Sequence, residues 1–155
     1  MKNFLFDQLE VVRGNTIKAV NGISENQANY IPEGFNNNIL WNLGHIYLVQ
    51  EKFAFNFIPE PMHVPDGFTE LFDRGSKPSE WKLQPPTLTE MVNILEDQTK
   101  RIKKVLAERL EEVVANPFVM PTGLTLKTVE EFLTFSMYHE GMHVQTIRIL
   151  EKLSK

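Results

Sequence analysis

Apolar residues recur with a helical period along most of the chain. Leu5, Leu9, Val12, Thr16 and Val20 line one face of a predicted amphipathic helix over about residues 2–21, and Gly22 is placed to stop it. Gly14 lies inside that run and weakens it by up to ~1 kcal/mol relative to alanine, so tertiary packing has to help hold the turn. The segment from Ile23 to Asn37 contains Pro32 and Gly34 and shows no usable period. Any of Asn36, Asn37 and Asn38 can cap a second helix that runs from Ile39 to about Ile58, ahead of Pro59. Its apolar residues cover much of the circumference, which predicts a position buried between neighbours. Thr87 and Glu90 have the spacing of a capping box and open a third helix. Leu88, Met91, Val92, Leu95, Ile102, Val105, Leu106, Leu110 and Val113 carry its stripe to an end near Ala115. After a loop with Pro121-Thr122-Gly123, Thr128 and Glu131 repeat the capping pattern ahead of a last helix that reaches about Leu153.

Between the second and third helices, residues 59–86 hold six of the nine prolines and two glycines, with room only for a short helix from Asp66 to Asp73. Connections of this length are uncommon in compact domains and often functional. This one can travel the ~30 Å of a twenty-residue helix, so the helices it joins are free to be parallel. Four long helices with no strand and no internal repeat predict an all-α fold, a four-helix bundle with a long connection between helices 2 and 3. Residues 1–155 form one such domain on this reading.

Composition narrows the chemistry. With 155 residues, 42% of them hydrophobic, the chain can build one core but not two comfortable ones. It has no cysteine, which excludes disulfides, zinc-thiolate sites, Fe–S clusters and a thiol nucleophile of its own. Any metal would be held by nitrogen and oxygen. The formal net charge of −4, with no basic block, argues against nucleic-acid partners, and the charge-rich stretch from Glu96 to Glu112 mixes both signs as a solvated helix face does. No run approaches the roughly 18 apolar residues of a membrane span, and Met1 to Asp7 lacks the apolar core of a secretory signal. The expectation is a soluble cytoplasmic protein with no membrane partner.

The candidate chemistry lies in the last helix. His139 and His143 are four residues apart, about one helical turn, a spacing at which both imidazoles reach a single cation. His139-Glu140-Gly141-Met142-His143 also matches H-E-x-x-H, in which two zinc-bound histidines flank a glutamate base. The following Val144-Gln145-Thr146-Ile147 lacks the G-x-x-H extension, and Glu151 lies two turns along the same helix, so a zincin-type peptidase is left without its third ligand. A third ligand has to come from upstream. His45 stands beside Trp41, Leu48 and Val49 on the second helix, facing the interior either as a ligand or as a hydrogen-bonded core histidine. Its axial position differs from those of His139 and His143 by about 5–12 Å whichever way the helices run, which overhang and side-chain reach absorb.

Three neutral imidazoles from two helices suit Zn²⁺ or Ni²⁺ better than Fe²⁺ or Mn²⁺, which favour a carboxylate; the alternative is a group of histidines without a metal. His63, on the long connector, is either a fourth ligand closing over the site or an exposed loop residue. Glu140 is the candidate catalytic base or partner of the ligands, unless its place about 100° round from His139 turns it to solvent. Tyr47 and Tyr138 either orient a substrate or pack with their hydroxyls at an edge.

Asn37-Asn38-Ile39-Leu40-Trp41-Asn42-Leu43-Gly44-His45-Ile46, Pro121-Thr122-Gly123-Leu124-Thr125-Leu126 and Tyr138-His139-Glu140-Gly141-Met142-His143 together resemble the DinB-like (YfiT-like) superfamily of four-helix metal proteins. The resemblance covers nearly the whole chain, in order. It implies a bundle with His45, His139 and His143 around a divalent ion, usually zinc or nickel, often in a homodimer. Members with an assigned activity include thiol-dependent transferases and isomerases using glutathione, mycothiol or bacillithiol. Much of the family has glutamine three places after the last histidine; here Thr146 stands there and Gln145 is one earlier. The leading expectation is a metal-dependent enzyme acting on a small-molecule substrate, with thiol transfer the favoured reaction. Its rival is a metal-binding or stress-related protein that performs no reaction.

Overall fold

The computed structural model describes residues 3–155. Helix α1, Phe4–Ala19, is capped by Asn3, whose side-chain oxygen accepts the Leu5 N–H. The expected start at residue 2 lies outside the described residues. A short helix α2, Glu25–Asn29, forms in the segment that showed no period, opened by a Ser24–Gln27 capping box. Helix α3, Ile39–Phe55, starts at Asn38, which accepts the Trp41 N–H at 2.7 Å. All of its residues except Val49, Lys52 and Phe53 are buried, as its apolar circumference predicts. The long connection carries α4, Phe68–Phe72, and a single 3-10 turn at Pro78–Glu80. Helix α5 is Leu88–Leu106 and α6 is Val129–Leu153, and both begin with the capping boxes read from the sequence.

Two expectations about the stretch between α5 and α6 need correction. The third long helix does not continue to Ala115, and the fold is not free of strands. The chain leaves α5 at Leu106 and then forms an antiparallel hairpin of β1, Val113–Val119, and β2, Thr125–Thr128. Val113, Val114, Phe118 and Val119 are β-branched or aromatic, at home on a pleated surface. Pro117 lies between the two paired ends of β1, in the interval where the register shifts, as a residue with no N–H to donate must. Gly123, at φ 88°, makes the turn. Leu110, counted in the helical stripe, is buried all the same, but from the turn rather than from a helix.

The four long helices close a ring in which α3 packs on α5 and α6, and α1 packs on the same two. One end of the core joins Ile39, Leu40 and Leu43 of α3 to Leu88, Met91 and Leu95 of α5 and to Ile147 and Leu150 of α6. The other end joins Leu5, Phe6 and Leu9 of α1 to Phe55 of α3, Ile102 and Leu106 of α5 and Phe132 and Leu133 of α6. The starts of α3 and α5 therefore lie together, at the end where α6 finishes. So α3 and α5 run parallel, and α1 and α6 run against them. The long proline-rich connection is what carries the chain back from the finish of α3 to the start of α5. Among the described residues no helix is long and apolar enough to cross a membrane.

Candidate metal centre

His45 is built into α3 by its neighbours in sequence. Trp41, one turn earlier, stacks on the imidazole with ring centres 4.6 Å apart and planes at 11°. Gly44 lets the Phe72 ring of α4 lie directly on the helix backbone, where a methyl group would overlap the ring. That close approach brings the Phe72 carbonyl to 2.7 Å from His45 Nδ1. A carbonyl only accepts, so Nδ1 carries the proton and Nε2 keeps its lone pair.

The i,i+4 pair on α6 completes the group. His143 Nδ1 lies 2.8 Å from Asn42 Oδ1, and Asn42 Nδ2 donates to the Asn38 carbonyl at 2.8 Å. With its amide nitrogen so engaged, Asn42 presents its oxygen to His143, which again leaves Nε2 as the free lone pair. Ring centres are 4.6 Å apart for His139 and His143, 4.9 Å for His45 and His143, and 5.2 Å for His45 and His139. One nitrogen from each lies within 4.8 Å of the others, so the three histidines can hold a metal ion.

Electrostatics favour the same conclusion. Burial pushes the His139 imidazole down to about 3, with His143 and then His45 adding to the effect. His143 is lowered to about 4, chiefly by burial and then by His45, against the opposing charge of Glu140. Burial also lowers His45, partly offset by the Phe72 carbonyl and Asp73. All three are neutral near pH 7, the state in which an imidazole binds a cation.

Glu140 lies on a different side of α6. It faces neither solvent nor the imidazoles but is buried against α1. Its Oε1 accepts from Arg13 Nε at 2.8 Å and from the Thr16 hydroxyl, and its Oε2 accepts from the other side of the guanidinium at 3.2 Å. These three bonds take up most of the acceptor capacity of the carboxylate on the α1 side of the helix. Arg13 also donates to the Leu95 carbonyl and to Gln98, whose amide in turn donates to Glu51 and to the Tyr47 carbonyl. Glu51 pairs with Arg101 and accepts the His63 N–H at 2.6 Å.

His63 takes part only through its backbone. Its carbonyl accepts the Tyr47 hydroxyl at 2.6 Å, its side chain is exposed, and the metal-capable group among the described residues contains only the other three histidines. Burial pushes the Tyr47 phenol up to about 12, so it remains a donor that pins the connector. Tyr138 is 61% exposed. Sequence reasoning did not find Trp41, Asn42 or the Phe72 carbonyl as supports. The signal for the first two was their place four and three residues before His45, on the same side of the helix.

A search of curated proteins finds no match. A family model described as the DinB superfamily matches residues 8–147, a span that takes in all three histidines. This chain belongs to the DinB superfamily.

Proposed function

We propose that this chain is a metal-dependent enzyme of the superfamily that binds zinc or nickel through His45, His139 and His143 and acts on a small molecule, with a low-molecular-weight thiol as substrate or co-substrate. The observation that carries this reading is the convergence of three neutral imidazoles, two of them with tautomers set by Phe72 and Asn42, at a place where His139 and His143 are only partly buried. Nitrogen donors without a carboxylate suit those two ions. A divalent ion held there would supply Lewis acidity that favours the thiolate form of a bound thiol.

The chain's own residues do the positioning. Trp41 and the Phe72 carbonyl hold one imidazole, and Asn42 holds a second. The buried Arg13–Glu140 pair ties α6 to α1. Because the chain has no cysteine, any sulfur nucleophile arrives with the co-substrate. The ring of four long helices supports a four-helix bundle with an added hairpin, and the reading places it in the cytoplasm.

Elemental analysis of the purified protein should give one zinc or nickel per chain, lost in His139→Ala and His143→Ala and sharply reduced in His45→Ala. Cobalt-loaded protein titrated with glutathione, mycothiol or bacillithiol should then develop a sulfur-to-cobalt charge-transfer band. Full metal content in His45→Ala would exclude the ligand set. Stoichiometric metal with no spectral response to any thiol would leave a closed, non-catalytic ion, the rival reading.

A further inference from the structure

Helix α3 is covered almost throughout, and the three residues that break its cover are Val49, Lys52 and Phe53. They follow His45 by four, seven and eight residues, so the open strip of this helix begins at a proposed ligand and runs from there toward the helix finish. The polarity of the helix is reversed there. Gln50 and Glu51 are buried while a valine and a phenylalanine stay partly open, the opposite of what contact with water alone would select. Lys52 is drawn to the long connection by Asp73, at 3.0 Å. Val49 and Phe53 lie round toward α6, within about 80° of His45.

On α6 the order is mirrored. Because this helix runs against α3, stepping back by fours from His143 gives His139 and then Phe135, all three partly buried. The two rows meet at their far end, where the rings of Phe53 and Phe135 are 5.9 Å apart. Both therefore pass from imidazole to apolar surface in the same direction, over about 12 Å from His45 to Phe53. The opposite direction is shut, since Trp41 is stacked on His45 and its ring centre stands 6.3 Å from that of His143. Phe135 also borders, with Leu124, Leu126 and Tyr138, a groove of about 650 Å³, so apolar surface continues beyond the ring pair.

We propose that Val49, Phe53 and Phe135 select the substrate, taking an uncharged apolar group, aromatic by preference, that extends from the ion along these two rows. The proposal rests on the metal-dependent reading above and adds to it the part of the substrate that the ion does not touch. None of the three side chains offers a hydrogen bond or a charge, whereas a ring laid against Phe53 and Phe135 gains offset or edge contacts as well as burial.

Hydroxamates test this, because they bind a divalent ion through their own oxygens and leave the rest of the molecule to the protein. Cobalt-loaded protein, read by its visible absorption, should bind phenylpropanohydroxamate about tenfold or more tighter than acetohydroxamate. Val49→Thr, of the same shape, and Phe135→Leu, apolar but without the ring, should each cut that ratio about threefold or more, with cobalt stoichiometry retained as the sign of an intact fold. Equal binding of the two hydroxamates by the wild type, or a ratio unmoved in both variants, overturns this proposal alone and leaves the metal-dependent reading standing. A ratio that falls as expected, in protein whose spectrum ignores every thiol, keeps these residues as the selecting surface and removes the thiol from that reading. Cobalt-loaded protein that responds to neither hydroxamate holds a closed ion, which overturns both.

Discussion

Two polar clusters lie on neighbouring faces of α6, and they resolve the cost of burial in opposite ways. Around Glu140 every strong donor and acceptor is consumed: the carboxylate by Arg13 and Thr16, the guanidinium also by Leu95 and Gln98, and the far end of the network by Glu51 and Arg101. At the histidines, Phe72 and Asn42 occupy one ring nitrogen each of His45 and His143, and one nitrogen from each of the three rings converges. A buried cluster that closes on itself specifies a packing arrangement. One that leaves lone pairs aimed at a common point is prepared for something else to arrive. The two solutions are interleaved in a single motif, since Glu140 follows His139 directly and precedes His143 by three residues. The H-E-x-x-H pattern thus points two ways here, its histidines toward α3 and its glutamate toward α1.

The contrast can be broken most forcefully at Glu140. Glu140→Ala leaves a buried guanidinium without its partner and should lower stability by about 3–5 kcal/mol in urea unfolding, while metal per folded molecule stays unchanged. Loss of metal with unimpaired stability would reverse the roles of the two clusters. Next in size is removal of the ion. A chelator should take away about 2.7 kcal/mol when the free metal had stood at a hundred times its dissociation constant, visible as a lower melting temperature restored by adding metal back. His143→Ala should show no such response to the chelator.

Smaller again is the expected effect at Asn42. Asn42→Ala frees the His143 ring and should weaken metal binding by about 10–100-fold, or ~1.4–2.7 kcal/mol, by competition with a chromogenic chelator. The gentlest perturbation is acid. His139 and His143 titrate lower in the folded chain, at about 3 and about 4, than the 6.5 of an unperturbed imidazole. The unfolded chain therefore binds more protons between those limits. Stability of the metal-free protein should be intact above pH 6.5 and decline as pH falls toward 4, by at most ~1.4 kcal/mol per pH unit for each histidine, and less where solvent screens the partly exposed rings. A flat profile across that window would mean that the rings are not buried as described.

What could be read from the sequence was local. The capping boxes at Thr87–Glu90 and Thr128–Glu131 span three residues, and the pairing of His139 with His143 spans four, so each is legible without knowing the fold. The parallel course of α3 and α5 was accessible through the length of the connection between them. The supports of the site were not. His45 and Phe72 are 27 residues apart, Asn42 and His143 101, and Arg13 and Glu140 127, and no period in the chain encodes such pairings. The hairpin was missed for a different reason. Only Val114 of β1 is buried, so the strand lacks the alternation by which strands are recognised, while Leu110 and Val113 happen to prolong the phase of the preceding helix.

The contact between Gly44 and Phe72 has a consequence beyond shape. The peptide oxygen that orients the first imidazole belongs to the proline-rich crossing, which is further fastened to α3 by Ser76 on the Trp41 indole. An ion that requires this tautomer of His45 therefore tightens the grip of the crossing on the helix beneath it, and by reciprocity a ligand that lifts the crossing loosens the ion. Amide exchange in the stretch around Phe72 becomes a gauge of occupancy, readable some distance from the imidazoles themselves.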